Sequence, residues 1–349
     1  MRVLITTTQV PFVSGGAEIL AEQLKQALIT AGHEAEIVSI PFKWYPPERI
    51  LDQMLGCRLL DLTESCGVPV DKVIGLKFPA YLIPHPNKVL WLLHQHRTAY
   101  ELWDHPEYGD LFRYPNGSVI RDAIHMADKQ LIPEAKGIFT ISANVSKRLN
   151  RYCNIDSVPI YHPPQNHDKF YCGEDHGYLF FPSRLTPIKR QFLVLEALVR
   201  TKQPVRIRFA GSADTPAYAE QLKTMASELK ISDRVDWLGH ITEEEKQKNY
   251  AHARGVVYTP VDEDYGYITL EAMLSSKPVI TCSDSGGTLE FVADKENGLV
   301  TEPTPVALAA AFDELWQNVS QAATWGRLGL EKYKNMNINW SHVIERLLA

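Results

Sequence analysis

Long apolar runs are missing from this chain of 349 residues. No segment offers the roughly 20 consecutive apolar residues that a bilayer-crossing helix needs. The start, Met1-Arg2-Val3-Leu4-Ile5-Thr6, is too short an apolar stretch for a secretory leader. An excess of positive charge is missing too. With 36 Lys and Arg against 42 Asp and Glu, the formal net charge is −6, which argues against a protein that coats nucleic acid, because neutralising phosphates requires a basic surface. Cysteine is sparse. Cys57, Cys66, Cys153, Cys172 and Cys282 are scattered and show no C-x-x-C spacing, so a reducing compartment is expected, and neither a zinc site nor a disulfide framework. The G-x-G-x-x-G fingerprint is also absent, which disfavours a nicotinamide dehydrogenase. The expectation is a cytoplasmic protein with no nucleic-acid partner, and with peripheral attachment to the inner face of a membrane left open.

The rest of the composition is that of a globular protein: 45% hydrophobic and 22% charged residues, over a length that favours two domains with separate cores. Val3-Leu4-Ile5 reads as a buried strand. A loop runs from it to Gly15-Gly16. From Ala17 to Ala31, Leu20, Leu24, Ala27, Leu28 and Ala31 fall on one helical face, and Gly32 ends the helix. Glu34–Ile40 is a second strand. Pro41–Pro86 is irregular and rich in proline and aromatics, and carries no assignment; Phe42–Leu60, which mixes aromatics, Leu, Lys and Arg, reads as a core or surface element ahead of a membrane-touching segment. Lys88–Leu93 and Gly137–Ile141 read as strands, the latter followed by a helix from about Ala143 to Tyr152. The polar stretch Tyr161–Gly177 suits a linker. Beyond it strands are expected at Tyr178–Pro182, Val205–Ala210, Val235–Leu238, Gly255–Thr259 and Pro278–Thr281, alternating with helical patterns. Two parallel sheets are the consequence, with ligands at the carboxyl ends of their strands. Domains are expected over residues 1–165 and 166–335, with a C-terminal helix over 336–349.

The most informative segment is Glu263-Asp264-Tyr265-Gly266-Tyr267-Ile268-Thr269-Leu270-Glu271. A strand ends near Pro260, an acidic loop turns at Gly266, and a helix starts near Tyr267. A helix start offers unpaired N–H groups and a positive dipole end, which suit an anion. Acids flanking a helix start are also common without any ligand. Phe181-Pro182-Ser183-Arg184-Leu185-Thr186-Pro187-Ile188-Lys189-Arg190 follows a strand and sets two cations on a loop, where they can grip a diphosphate through charge-assisted hydrogen bonds. Gly15 and Gly16 precede a helix and permit close approach of backbone to a ligand. His94-Gln95-His96-Arg97 closes a strand of the first half.

Together these segments resemble the retaining glycosyltransferases of family 4, as found in bacterial polysaccharide synthesis. Their fold is GT-B: two Rossmann-like parallel-sheet domains facing a central cleft. The resemblance covers nearly the whole chain, and is strongest from Tyr178 to Val300. Glu263 and Glu271 match the family's E-x7-E motif, which implies that Glu263 addresses the donor sugar and Glu271 the ribose. The backbone of Tyr265, Gly266, Tyr267, Ile268 and Thr269 would hold the diphosphate. Arg184 and Lys189 match its phosphate-binding arginine–lysine pair, with departures at Ser183 and Arg190, where glycine is common. Gly15-Gly16 resembles its N-terminal double-glycine loop. His94 is similar to a histidine near the donor hexose, with His96 as the alternative. His240 and Ile241, after Asp236-Trp237-Leu238-Gly239, resemble the strand end that meets the nucleobase. Ser283–Glu290 resembles its later glycine pair, and Trp340 the start of its last helix, which often returns to the first domain.

The implied reaction moves a hexose from a nucleoside-diphosphate sugar, UDP-glucose as first choice, to a hydroxyl of a saccharide or lipid-linked acceptor, with retention at the anomeric carbon. No cofactor and no metal are expected. Asp262-Glu263-Asp264 also fits a metal-binding D-x-D pattern, but the E-x7-E match already accounts for Glu263. The rival readings are a sugar-nucleotide-binding protein without catalysis and a same-fold sugar-nucleotide epimerase.

Overall fold

The computed structural model describes residues 1–12 and 15–349. The chain forms two compact units, one of Met1–Gln165 with Asn339–Ala349 and the other of Asn166–Ile338. The passage between them lies inside the polar stretch Tyr161–Gly177. Among the described residues no helix is long and apolar enough to cross a membrane.

The first unit begins with β1 (Arg2–Gln9), α1 (Gly16–Thr30) and β2 (Glu34–Pro41). Leu20, Leu24 and Leu28 of α1 are buried, one helical turn apart as the pattern requires. Next come α2 (Glu48–Arg58), a short hairpin of β3 (Glu64–Ser65) and β4 (Val68–Pro69), β5 (Lys72–Lys77), β6 (Lys88–His94), α3 (Gly117–Leu131), β7 (Gly137–Thr140), α4 (Ala143–Cys153) and β8 (Val158–Pro159). The sheet order is β2-β1-β5-β6-β7-β8, parallel throughout.

The unassigned stretch Pro41–Pro86 thus holds α2 and β5, and β5 lies at the middle of the sheet between β1 and β6. The sequence KVIGLK hides it in two ways. Lys72 to Leu76 are all buried, so the strand shows no alternation, and Gly75 interrupts its apolar run. That glycine is a packing requirement: a Cβ there would meet Leu90 Cδ2 at 2.7 Å and Tyr81 Cα at 3.0 Å.

The second unit runs β9 (Leu179–Pro182), α5 (Gln191–Leu198), β10 (Ile207–Ala210), α6 (Pro216–Glu228), β11 (Val235–Gly239), α7 (Glu243–His252), β12 (Gly255–Val257), α8 (Tyr267–Leu274), β13 (Val279–Cys282), β14 (Gly298–Thr301), α9 (Pro305–Gln317) and α10 (Val319–Asn335). Its order, β11-β10-β9-β12-β13-β14, is the doubly wound 3-2-1-4-5-6 arrangement. The chain then returns to the first unit as α11 (Trp340–Leu348). Asn339 caps this helix, its Oδ1 accepting from the His342 N–H at 2.8 Å. The Trp340 ring meets Trp91 edge-on, 6.3 Å between centroids. The buried Lys72 donates to the carbonyls of Leu347, Leu348 and Ala349 at 3.3, 2.9 and 3.2 Å, satisfying oxygens that the last helical turn leaves without partners.

Behind the end of β6 lies a buried carboxyl. Asp128 of α3 accepts from Tyr81 Oη at 2.9 Å, Tyr100 Oη at 2.7 Å and Gln95 Nε2 at 2.7 Å. Burial pushes its pKa up to about 6, against the pull of those three hydrogen bonds. The folded state therefore holds the Asp128 proton more tightly than the unfolded chain does. The resulting stabilisation is present in acid and is lost as pH rises from about 4 to about 6. Asp128→Asn should flatten this step. Chemical denaturation between pH 4 and 7 should show the stability gap between wild type and variant swinging by on the order of 3 kcal/mol, with the wild type favoured at the acid end. A pH-independent gap would contradict the buried-carboxyl account.

Candidate active site

In the second unit the strand order reverses between β9 and β12. The loops leaving these neighbours diverge, and a crevice opens at their carboxyl ends, where doubly wound sheets take ligands. Both chemically rich segments of the sequence fall there: Ser183–Arg190 after β9, and the acidic loop after β12.

Lys189 closes a short 3-10 turn, Pro187–Lys189. Its Nζ donates to Tyr258 Oη at 2.9 Å and to the Glu263 carboxylate. The two side chains of the ion pair are 15% and 21% exposed, so the pair sits at a surface opening and not in the core. Burial, and next the Glu263 charge, hold the Tyr258 phenol well above its ordinary pKa; it keeps its proton. Arg184 stands apart from this pair. Its Nη1 meets Asp214 Oδ1 at 2.8 Å with the guanidinium side chain 57% exposed. An exposed pair of this kind is worth about 1 kcal/mol or less, so Arg184 is easily drawn to another anion.

The start of α8 is shaped by Gly266, whose φ of +87° is one that side chains rarely adopt. The Thr269 and Thr288 hydroxyls lie beside it; both side chains are buried, and both oxygens lack a hydrogen-bond partner among the described residues. Tyr265 is buried against Tyr267 and Phe291, with ring centroids 5.2 and 5.6 Å away, so it contributes packing and backbone. Ile268 is half-buried against the core, and its carbonyl oxygen lies 3.4 Å from Tyr250 Oη.

Glu271, in the second turn of α8, is buried. Lys246 Nζ donates to Oε1 at 2.9 Å and Tyr250 Oη to Oε2 at 2.7 Å. Both donors come from α7. Burial disfavours the Lys246 ammonium, but Glu271 and Glu243 outweigh it and raise its pKa above that of an ordinary lysine. Helix α7 begins directly after His240, which is exposed, and Ile241, which is half-buried. Its capping box pairs Thr242 with Glu245. One short helix therefore ties the β11 strand end to Glu271. Lys246 and Tyr250 went unnoticed in the sequence; their i, i+4 spacing on one face of α7 was the available signal.

The glycine pair after β13 meets the acidic loop backbone to backbone. Gly286 has φ +60°, and a Cβ there would lie 2.6 Å from Glu263 N and from Glu263 O; a Cβ on Gly287 would lie 2.7 Å from Asp264 O. The Gly287 N–H donates to Glu263 O at 2.7 Å, and the Asp262 N–H to Asp284 O at 2.9 Å. This contact fixes where Glu263 leaves the chain. Among the described residues no group of three or more His, Cys, Asp or Glu is arranged to hold a metal ion.

The site residues expected in the first unit lie at the carboxyl side of its own sheet. Gly15 is the N-cap of α1, and its N–H donates to Glu18 Oε2 at 2.8 Å. Gly16 opens the helix. Glu18 also meets Lys77, at 3.4 Å. His94 ends β6 opposite Lys77 in register, its Nδ1 2.6 Å from the Gln95 carbonyl. His96 packs on Phe78 and Phe42, centroids 5.3 and 6.1 Å away, and burial lowers its pKa to about 4. It is a neutral ring among aromatics.

The family model described as glycosyl transferases group 1 matches residues 164–331. Alpha-1,3/1,6-mannosyltransferase ALG2 of Dictyostelium discoideum is 31% identical over 145 residues, which cover 40% of this chain and 34% of that one. The matches to the first curated relatives span about a third of those proteins' length. Among solved structures, sucrose-phosphate synthase from Thermosynechococcus elongatus superimposes with a TM-score of 0.77 at 16% identity, covering 99% of this chain and 97% of that one. Anabaena Alr3699/HepE in complex with UDP and glucose does so with a TM-score of 0.73 at 15% identity, covering 100% and 98%. These likenesses show the fold, GT-B with its two Rossmann-like parallel-sheet units.

Removing Lys246 takes from the buried Glu271 carboxylate the cation bonded to it and leaves it the Tyr250 hydroxyl. Lys246→Met should destabilise the protein by about 3 kcal/mol, whereas Lys246→Met with Glu271→Met should recover most of that loss. Urea unfolding of the three proteins tests this. A double variant weaker than the single one would mean the pair is not what holds α7 to α8.

Proposed function

We propose that the chain is a retaining glycosyltransferase, a reading supported by the match of residues 164–331 to the family model described as glycosyl transferases group 1. It moves a hexose from a nucleoside-diphosphate sugar to a hydroxyl of a saccharide or lipid-linked acceptor, in surface polysaccharide synthesis, acting in the cytoplasm. The observation that carries this reading is the meeting of Lys189 and Glu263 at the sheet's switch point, beside the start of α8. A cation, a helix N-terminus and a carboxylate stand together, as a substrate with a diphosphate at one end and hydroxyls at the other requires.

The roles follow from charge. The C1–O bond to the diphosphate breaks, and negative charge collects on the leaving oxygens. Lys189, Arg184 and the backbone of Tyr265 to Thr269 around the start of α8 stabilise it, and preorganised groups of this kind supply a large part of catalysis. Glu263 accepts hydrogen bonds from sugar hydroxyls. The acceptor oxygen bonds C1 on the face the diphosphate leaves, and its proton passes to a phosphate oxygen. Glu271 holds the ribose: Lys246 and Tyr250 occupy one acceptor position on each of its oxygens, and a carboxylate oxygen has two. His240 and Ile241 meet the base through backbone. The roles implied for Gly15, Gly16 and His94 belong to the same proposal. UDP-glucose is the first donor reading, supported by the UDP and glucose named with the Anabaena structure. A mannose donor is the second, favoured by the mannosyltransferase names of the curated relatives. No metal is required on this reading.

Thermal shift with a panel of UDP- and GDP-linked hexoses should single out one donor, since a ligand of the folded state raises apparent stability. That donor should be consumed only with acceptor present, and activity should survive chelation. Binding without consumption would leave a non-catalytic sugar-nucleotide-binding protein, and conversion to an epimeric sugar nucleotide would leave an epimerase. Glu271→Ala should weaken the nucleoside diphosphate and the whole donor alike; unchanged calorimetric affinity for the former removes Glu271 from the ribose.

The reading also fixes what Glu263 does not do. A diphosphate is a weak base that leaves without a strong acid partner, so no covalent glycosyl-enzyme of the kind retaining hydrolases form is needed. Glu263→Gln should keep part of the activity and Glu263→Ala less. In intact-mass spectrometry with donor alone, a hexose adduct on Glu263 that passes to acceptor at a competent rate would overturn the assignment.

A further inference from the structure

Arg190 occupies a position that its backbone would rather give to glycine. With φ 59° and ψ 41° it lies in the left-handed region, which disfavours a side-chain-bearing residue. The side chain is nonetheless buried and densely bonded. Nε donates to the Thr259 carbonyl at 2.7 Å and Nη2 to the Pro260 carbonyl at 2.7 Å. Nη1 and Nη2 grip Asp284 Oδ2 and Oδ1 at 2.8 and 2.6 Å. This is the planar two-pronged grip that only a guanidinium makes.

We propose that Arg190, clasped to Asp284, is the positioning residue that sets Lys189 against Glu263. The proposal rests on the transferase reading. Three loops meet at this side chain. Arg190 itself follows Lys189. Thr259 and Pro260 lead, three residues on, to Glu263. Asp284 belongs to the loop after β13, and its own carbonyl takes the Asp262 N–H. Smaller bonds close the same frame: Thr259 Oγ1 to the Lys189 carbonyl at 3.2 Å, the Val261 N–H to the Ile188 carbonyl at 2.9 Å, and Ser285 Oγ to the Pro260 carbonyl at 2.9 Å. Neither Lys189 nor Glu263 can shift without straining a bond that Arg190 makes or adjoins. The clasp does not reach Glu271, Lys246 or Tyr250, which hold the other end of the donor.

Arg190→Gly separates this role from plain stability. Glycine relieves the backbone strain at 190, so the fold survives, while every bond of the clasp disappears. Acceptor-saturated kinetics should show kcat falling about 10- to 100-fold, the scale of a misplaced catalytic group. Calorimetric affinity for the bare nucleoside diphosphate should stay within about threefold, because its ribose end is untouched. Arg190→Lys, which keeps the charge but lacks the fork, should not restore kcat. Asp284→Asn should lower kcat likewise, and the double variant should be no worse than Arg190→Gly. A variant with wild-type kcat, or one losing kcat and nucleoside-diphosphate affinity in equal proportion, overturns the clasp. A wild type that turns over no donor defeats the transferase reading instead, a result visible before any variant is made.

Discussion

Glu263 is held by its main chain before its carboxylate meets any side chain. Its carbonyl accepts from the Gly287 N–H, its own N–H faces the Ser285 carbonyl at 3.3 Å, and the residue before it is tied to Asp284. Contact this close between two loops is possible only because positions 286 and 287 carry no Cβ. The fold creates the need for it. In the order β11-β10-β9-β12-β13-β14, the strands β9, β12 and β13 lie side by side, so their carboxyl-end loops share one edge. A cation from the first, a carboxylate from the second and a pair of glycines from the third then form one object. The buried guanidinium of Arg190 crosses all three.

How legible this was depended on whether a residue's task is local. The strands of the second unit could be read because each is a short apolar run between turn signals, and a helix start after an acidic loop is a local pattern too. Glu263 and Glu271 stood out for that reason. Their partners did not. That Lys189 meets Glu263 while Arg184 turns to Asp214 depends on the path of the loop between them, which spacing leaves open. Arg190 looked like a departure from a glycine-rich pattern. Its bonds reach residues 69 to 94 positions away, beyond the reach of any window along the chain. β5 was missed for the opposite reason: a strand covered on both faces has no periodicity to betray it, and its one glycine, needed for Tyr81 and Leu90 to pack, imitates a loop.

The first unit meets a different problem with the same chemistry. Lys72 and Asp128 are both buried, yet neither pairs with a side chain of opposite charge in the contacts that hold it. Lys72 spends its donors on three carbonyls at the end of α11, where the helix dipole presents negative charge. Asp128 receives two phenols and an amide. Backbone oxygens in the one case and neutral side chains in the other take the place of a charged side chain, and each pKa is shifted: burial lowers that of Lys72 and raises that of Asp128. The gain is anchorage. Lys72 fastens the returning helix to a central strand. Asp128 fixes Gln95, and so orients the backbone between His94 and His96.

An ion pair at a substrate site raises the question of whether it must break before substrate binds. Here the donor count says otherwise. A lysine ammonium has three N–H bonds; Lys189 directs one to Tyr258 and one to Glu263, which leaves a third. On the transferase reading that third donor meets a phosphate oxygen while the other two stay in place. The Glu263 contact then serves as an orienting strut. It holds the ammonium at the border between the sugar's hydroxyls and the phosphate oxygens, and a flexible four-carbon side chain does not have to be ordered anew in each catalytic cycle. Tyr258 strengthens the arrangement by keeping its proton, since a phenolate beside Glu263 would add a second negative charge where the leaving group gathers its own. Arg184 is organised in the opposite way. Exposed and lightly paired with Asp214, it is suited to follow a departing diphosphate, whereas Lys189 is suited to stay. Two cations that look equivalent along the chain thus differ in the property that matters for electrostatic catalysis, which is how little they must move when the charge appears.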